Sequence, residues 1–531
     1  MFQYGFRGGR KTAEGLFPPA TTPDEAGVEL ERKGLFGRPG LRYNSAPRKR
    51  FSPYSSNIND TLRAREYRQP QRAVERFDLG DASVPNSPGT EVAKYDANIY
   101  CGQYSQDGSF FYTCAQDYKI RIYDMLRPNT DKSTFDSQER QTGRRYRQYR
   151  MYYDEDKSSL PLTKTIQARE HLSSWTITDA NLSPDNTKMI WSTIGPVVGM
   201  TRVRESADDM ETYDDGDGQV ALDFGAGRSG GRRHFGIWSV RFSADGREIV
   251  AGAGSGSIYV YDLESRRTVL SIFAHEDDVN AVCFADTASS NVLVSGSDDN
   301  YLKVWDRRSL GDGGMRTKPS GVLVGHTEGI TYVDPKGDGR FVLSNGKDQT
   351  CKLWDLRMMY SDDEFSQLDR LDVSVRNYDY RHGLYRKPRF AKHPHDRSLM
   401  TYTGHTVLRT LIRCHFSPEA TTGQHYVYSG SYDGRIHIWN LDGTVRQVLD
   451  RSHTMPLLTR GSASNAIKMN DPSQPDRPLG TYPTASASPV VRDVSWAPYA
   501  SNIMSSAWTE SGGSLAMHEW KGYGKRQEQL L

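Results

Sequence analysis

Two arginines in this chain each follow a tryptophan by three residues: Lys303-Val304-Trp305-Asp306-Arg307-Arg308 and Lys352-Leu353-Trp354-Asp355-Leu356-Arg357. A guanidinium presents a planar fork of donors that pairs bidentately with carboxylates and carbonyls, and arginine is frequent among the residues that dominate binding energy. Asp306 and Asp355 offer an alternative, in which each aspartate orients its own arginine or the pair serves a salt bridge inside the fold. A second set, Ser344, His326 and Asp348, has the residue types of a hydrolase. Its histidine and aspartate recur, however, as His275 with Asp299 and as His405 with Asp433. Catalysis does not need several copies, whereas a buried polar cluster repeated in each structural unit does.

Other chemistry is scattered along the chain. Arg144-Arg145-Tyr146-Arg147-Gln148-Tyr149-Arg150 interleaves bases with aromatics. Arg144, Arg145, Arg147 and Arg150 suit stacking on single-stranded RNA, contact with an acidic peptide, or a solvated loop. Residues 205–217 carry seven acids and no base, without the order or the terminal glutamate of a calcium loop; solvated disorder is expected. His393 and His395 lack neighbouring cysteines and are a weak metal signal, so no metal and no cofactor are expected. Gly225-Ala226-Gly227-Arg228-Ser229-Gly230 has dinucleotide-site spacing, but that site needs a helix next, and Phe235–Phe242 alternates like a strand.

The elements that must position these residues are short strands in a repeated unit. A Ser-x-Asp-Gly type turn leads to an apolar strand, then a small-residue turn with aspartate, then a strand ending in aromatic-Asp. Trp-Asp closing a strand about every 40–45 residues marks a propeller blade. One spacing is rigid: the turn residue precedes the strand-end aromatic by six positions at Asp117/Tyr123, Ser255/Tyr261, Asp299/Trp305, Asp348/Trp354 and Asp433/Trp439. A capped turn followed by a pleated strand of period two accounts for it. Five copies are clear, and two degenerate ones begin near Trp175 and Val494, making seven.

The expected fold is therefore all-β, a seven-bladed propeller over 86–524. A largely irregular extension over 1–85 precedes it, and a tail follows over 525–531. The last copy lacks an outer strand unless Glu91–Tyr95 supplies it, which would close the ring and remove an exposed sheet edge. Long insertions are expected at about 125–160, 205–230, 358–396 and 443–487. Each is read as starting after a Trp-Asp position, on the rim that carries Arg308 and Arg357. In the extension, Thr22-Pro23-Asp24-Glu25 reads as a helix start with threonine as cap, and Gly34 as its end. A second short helix is expected near 60–68. Helices this short are marginal alone and either stay disordered or fold against a partner.

Composition narrows the classes. Lysine and arginine exceed acids by two in 531 residues, which argues against a whole-surface nucleic-acid or membrane binder. Neither an apolar run of transmembrane length nor a secretory start occurs, and five cysteines make no disulfide framework. A soluble intracellular protein is expected, nuclear and cytoplasmic, with Arg48-Lys49-Arg50 as a thin nuclear signal.

With these motifs in view, the chain resembles WD-repeat proteins, and within them the cullin-4-associated substrate receptors of the WD repeat-containing protein 23 type. The two Trp-Asp-x-Arg boxes carry the resemblance, with Ala274-His275-Glu276-Asp277-Asp278-Val279-Asn280-Ala281-Val282 and Gly404-His405-Thr406-Val407-Leu408-Arg409-Thr410-Leu411-Ile412-Arg413. It covers roughly 85–520. What it implies is a non-enzymatic receptor: Asp306, Arg308, Asp355 and Arg357 would meet the damage-specific DNA-binding adaptor of a cullin-4 RING ubiquitin ligase. Another face would hold an unknown protein substrate for ubiquitination and degradation. The other blades depart from the box, with Glu264, Asp442 and Leu126 at the arginine position. The competing reading is a scaffold in a nuclear RNA-processing or chromatin complex.

Overall fold

The structure, a computed structural model, describes residues 17–36, 84–126, 157–168, 175–204, 218–225, 235–310, 318–369, 371–375, 378–381, 385–457, 489–509 and 512–521. Seven antiparallel sheets form the blades, with inner strands Ile99–Tyr104, Ile177–Leu182, Ile237–Phe242, Val279–Phe284, Ile330–Pro335, Cys414–Phe416 and Val490–Trp496 for blades one to seven. Consecutive inner strands touch around the ring, and blade seven returns to blade one. The expected seven-bladed propeller is the fold. Blade seven is built from both chain ends: Gly512–Glu519 pairs antiparallel with Thr90–Tyr95, whose other edge receives Lys157–Ser158.

The turn chemistry explains the repeat spacing. In the first turn of blade one, the Ser105 hydroxyl donates to Asp107 at 2.7 Å, while Asp107 accepts from the Ser109 amide at 3.1 Å. In the second turn the aspartate accepts from the amide two residues on: Asp117 from Lys119, Asp299 from Tyr301, Asp348 from Thr350 and Asp433 from Arg435, all at 3.0–3.2 Å. The residue between them is left-handed, as at Asn300 (φ 75°) and Gln349 (φ 69°). Ser255 departs from this, being itself left-handed at φ 58° and donating its amide to Asp278.

Charge, not only apolar packing, locks the axis. The buried Arg413 guanidinium donates to Asp179 at 2.7 Å, to Asp493 at 3.3 Å and to the Cys101 sulfur at 3.2 Å. Arg241 also pairs with Asp179 and reaches the Tyr332 hydroxyl at 2.7 Å. His415 lies between Asp334 at 3.3 Å and Asp493 at 3.2 Å. Burial opposes its protonation, but the two carboxylates prevail and push it up to about 9. All five cysteines are free thiols and buried.

Three expectations are corrected. First, part of the N-terminal extension folds against its own propeller. The helix Glu25–Arg32 is capped by Asp24 rather than Thr22. Leu30 and Phe36 are buried with Phe341, Phe416, Trp439 and Leu441 of blades five and six. Gly27 must be glycine, because a Cβ there would lie 2.4 Å from the Asp442 backbone. Second, not every insertion opens on the Trp-Asp rim. Val445–Asp450 is blade six's outer strand, so the described residues that follow it, 451–457, continue from the opposite rim. Likewise Gln219–Asp223, inside the expected 205–230 insertion, is the outer strand of blade two.

Third, the 358–396 insertion does not stay beside the rim where it starts. Tyr360 exchanges backbone hydrogen bonds with Val322 on the outer strand of blade four, both 2.8 Å. A capped helix, Asp362–Gln367, follows, with Phe365 edge-on to Tyr301. The chain then lies over the opposite rim: Ser374 donates to the Thr327 carbonyl at 3.2 Å and accepts from Asn300 at 3.0 Å, and Tyr378 donates to the Lys347 carbonyl at 3.2 Å. Glu328, beneath this strap, accepts from the Val375 amide, and burial pushes its carboxyl up to about 7.

The second expected helix near 60–68, Arg48–Arg50, the Arg144–Arg150 run, the acids at 205–217 and most of the glycine motif at 225–230 lie outside the described residues. The segment after that motif is the strand Ile237–Phe242, which leaves the motif without the helix a dinucleotide needs. Among the described residues no helix is long and apolar enough to cross a membrane.

Candidate functional site

The third strand of every blade runs in the same direction, so Leu302–Asp306 of blade four and Cys351–Asp355 of blade five end on one rim, side by side. Each box begins inside the sheet. Trp305 and Trp354 are 1% and 0% exposed. Trp305 donates to Ser295 at 3.0 Å, and His275 bridges Ser295 at 2.7 Å to Asp299 at 2.8 Å. Blade five repeats this with Trp354, Ser344, His326 and Asp348 at 2.8, 2.7 and 2.9 Å. Burial works against the Asp348 carboxylate, yet the neighbouring His326 ring and Lys352 hold it at about 2. Ser344 is completely buried and its oxygen accepts the indole N–H, so the serine–histidine–aspartate geometry braces the blade and offers no substrate an approach.

Blade six breaks the pattern, which corrects the expectation for His405. Its Nε2 meets Asn345 at 2.8 Å instead of Asp433, while Trp439 donates to the Thr403 carbonyl at 2.9 Å. Asp433 pairs with Arg435. Burial, reinforced by His437, depresses His405 to about 3, so this histidine is a neutral packing element.

After each tryptophan the aspartate caps the next turn in the same way: Asp306 accepts from the Arg308 amide and Asp355 from the Arg357 amide, both 3.0 Å. The side chains then diverge. Arg308 folds back on Asp306 with Nε at 2.9 Å and Nη2 at 2.6 Å, although its side chain stays 69% exposed. Asp355 is instead held by Arg340, at 3.0 and 2.7 Å. Arg357 is exposed, and its guanidinium makes no hydrogen bond or ion pair among the described residues. Arg307 points along the rim to Glu248 of blade three at 2.8 Å. The helix Glu25–Arg32 sits on this same rim, against Leu441 and Asp442.

Sequence reasoning missed Arg340 and the Arg307–Glu248 pair. A signal existed for the first: Arg340 directly precedes Phe341, which pairs across the sheet with Asp355. His393 is buried, and its Nδ1 accepts from the His395 amide at 3.0 Å. No group of three or more metal-donor side chains occurs among the described residues.

Fold and rim together define a WD-repeat β-propeller with exposed arginines on one rim. The WD domain, G-beta repeat family matches residues 89–124, 317–355 and 396–440, and the nucleolar protein 10-like N-terminal domain family matches 188–335. The chain is 42% identical over 363 residues to the LEC14B protein of Lithospermum erythrorhizon, covering 67% of each. It is 38% identical over 430 residues to a LEC14B homolog of Prunus armeniaca, covering 80% of this chain and 72% of that one. It is also 33% identical over 453 residues to the DDB1- and CUL4-associated factor 11 homolog of Caenorhabditis elegans, covering 85% and 65%. The chain belongs to the LEC14B family of WD-repeat proteins.

Proposed function

We propose that this protein is a non-enzymatic substrate receptor that joins a target protein to the damage-specific DNA-binding adaptor of a cullin-4 RING ubiquitin ligase, so that the target is ubiquitinated and degraded. The observation that carries the reading is the placement of Arg308 and Arg357 on one rim of adjacent blades, both exposed, in a chain similar to a relative named for association with DDB1 and CUL4. Arg357, whose guanidinium has no partner among the described residues, is ready for bidentate pairing across an interface, whereas Arg308 must first leave Asp306. We place the protein in the nucleus and cytoplasm. Co-purification tests the reading: the adaptor should be recovered with wild type and lost with Arg308→Ala/Arg357→Ala, and undiminished recovery with a folded double variant counts against it.

The match to the nucleolar protein 10-like domain favours a second reading, a scaffold in RNA processing. Crosslinking would then recover RNA, and deletion of 141–150, which removes the basic–aromatic run, would abolish the signal.

A further inference from the structure

The inner strands begin at the end of the channel opposite the Trp-Asp rim, and a buried charge without a counter-charge sits there. The axis carboxylates are all engaged. Asp179 holds Arg241 and Arg413, Asp334 holds His415, and Asp493 holds Arg413 and His415. Asp493 also accepts from the Gly102 and Val494 amides, both at 3.0 Å, and from Gln103 at 2.8 Å. Three carboxylates thus meet three cations. Arg492, the residue before Asp493, is a fourth cation, and it forms no ion pair among the described residues.

Arg492 is 6% exposed. Its guanidinium lies 4.9 Å over the Tyr100 ring and donates one N–H to the Tyr100 carbonyl, while its buried Nε–H finds no acceptor among the described residues. Burial, and after it the like charge of Arg413, weakens its hold on the proton, and the nearby Asp493 does not make up the difference. A buried guanidinium in this state burdens the fold unless a partner supplies the anion.

The surroundings give such an anion an approach. Tyr100 packs against Trp175 at 5.9 Å, and Trp175 is 57% exposed. On another side stands Tyr380 of the strap, close enough for the Arg492 charge to act on its phenol, and its carbonyl accepts from the amide of the exposed Arg409 at 2.7 Å. Of the other cations here, Lys347 pairs with Asp298 at 2.6 Å and Arg381 with Asp379 at 2.9 Å. The further acids at this end belong to other positions. Glu276, Asp277 and Asp278 precede the inner strand of blade four, across the ring; Glu328 lies under the strap at blade five; and Asp96 follows the outer strand of blade seven. One unpaired guanidinium balances one negative charge. A carboxylate supplies that charge in a planar form that matches the fork, whereas a phosphate dianion would be left half neutralised.

We propose that this end of the channel binds a carboxylate presented by a partner protein, on an acidic side chain or at a chain end, with Arg492 gripping it and Tyr100 and Trp175 flanking the chain that bears it. The site is independent of the ligase reading, because it lies at the opposite end from the arginine boxes and shares no residue with them.

Calorimetric titration of the full chain with three peptides tests it: acetylated and amidated Gly-Ala-Glu-Ala-Gly, the same peptide with glutamine in place of glutamate, and the acetylated glutamine peptide with a free carboxyl end. At least one of the two carboxylate peptides should bind about tenfold more tightly than the neutral one, and which of them does so identifies side chain or chain end as the source. Arg492→Met replaces the charge with an apolar chain; it should erase that preference and leave the melting temperature unchanged or higher, whereas loss of a structural brace would lower it. Trp175→Ala, a surface change, should weaken the preferred peptide severalfold. Arg308→Ala/Arg357→Ala should bind it as wild type does, which separates this site from the adaptor reading. Equal binding of the three peptides, no binding of any, undiminished binding by either Arg492→Met or Trp175→Ala, or a melting temperature of Arg492→Met well below wild type would overturn the site. Tighter binding of inorganic phosphate than of the preferred peptide would assign it to a free anion and overturn the partner-protein reading.

Discussion

Blades four and five carry the same Trp-Asp-x-Arg box, the same buried tryptophan brace and the same capped turn, yet their arginines end in different states. Arg308 is forked onto Asp306, whereas Arg357 has no partner among the described residues and Asp355 is held by Arg340. The difference originates across the sheet. Phe341 pairs with Asp355 and is preceded by Arg340; Val292 pairs with Asp306 and is preceded by Asn291. The backbone frames are equivalent, since the Leu356 amide donates to the Arg340 carbonyl and the Arg307 amide to the Asn291 carbonyl, at 2.9 and 2.8 Å. The residue just before the neighbouring strand, Arg340 in one blade and Asn291 in the other, is thus the difference that accompanies whether the box aspartate holds its own arginine. A box motif states which groups are present; the residue across the strand sets which of them is available.

The comparison holds only if the two blades are braced alike. Trp305→Ala and Trp354→Ala each remove a buried indole and leave a serine–histidine–aspartate chain without its donor, so each should cost about 3–5 kcal/mol. Denaturant melts check this. A loss at one position several times that at the other would mean that the blades differ in their cores and that the arginines cannot be compared as isolated variables.

The next largest effect is expected in binding. Arg357 enters an interface with its donors unspent, while Arg308 must first exchange Asp306 for a new acceptor. Arg357→Ala should weaken adaptor binding roughly thirtyfold, in the range of an interface hot spot, and Arg308→Ala only a few-fold. Biolayer interferometry with purified adaptor reads both, and equal losses would show that the Asp306 pairing has no bearing on use.

Much of this architecture was legible because it repeats. The six-position spacing, the Ser-x-Asp-Gly turns and the histidine–aspartate pairs of blades four and five depend on contacts within a blade, which local sequence specifies. The strand Thr90–Tyr95 was legible because a seventh blade without it would leave an open edge. What escaped the sequence was set by contacts between distant segments. Leu30 and Phe36 complete a cluster with residues some 300 to 400 positions later, and nothing near them names that surface. The strap from 358 onward looked like a rim loop because its start was known and its anchor points, Thr327 and Lys347, were not. The candidate arginines were legible as types; their availability was not, because it depends on Arg340 and Asn291.

The strap supplies a pH test at the seam between these blades. The Glu328 carboxyl is raised to about 7, burial being the largest cause, so its folded value lies above the unfolded one near 4.5. A group shifted this way favours the fold below the unfolded value, and that contribution is lost as pH rises through about 7. Glu328→Gln should therefore remove part of the decline in melting temperature between pH 5 and pH 8, with the variant gaining on wild type at the alkaline end. A variant curve parallel to wild type would show that the carboxylate is solvated and the strap lifted.

The smallest effect is also the sharpest test of the comparison, because it exchanges the state of the two boxes without touching either. Asn291→Arg places a guanidinium where Arg340 stands in blade five, within the same backbone frame, and should draw Asp306 away from Arg308. Arg340→Asn does the reverse and returns Asp355 to Arg357. Neither change alters Arg308 or Arg357 itself, so the expected shifts are modest: adaptor affinity about two- to threefold higher for Asn291→Arg, as Arg308 no longer has to break its internal fork, and a few-fold lower for Arg340→Asn. The direction carries the argument. If both substitutions lower affinity together, Arg340 is itself a contact and Asn291 a packing residue. If they move affinity in opposite directions, the cross-strand residue controls the arginine, and a rim of seven similar blades has been tuned at the one position in each box that the motif does not contain.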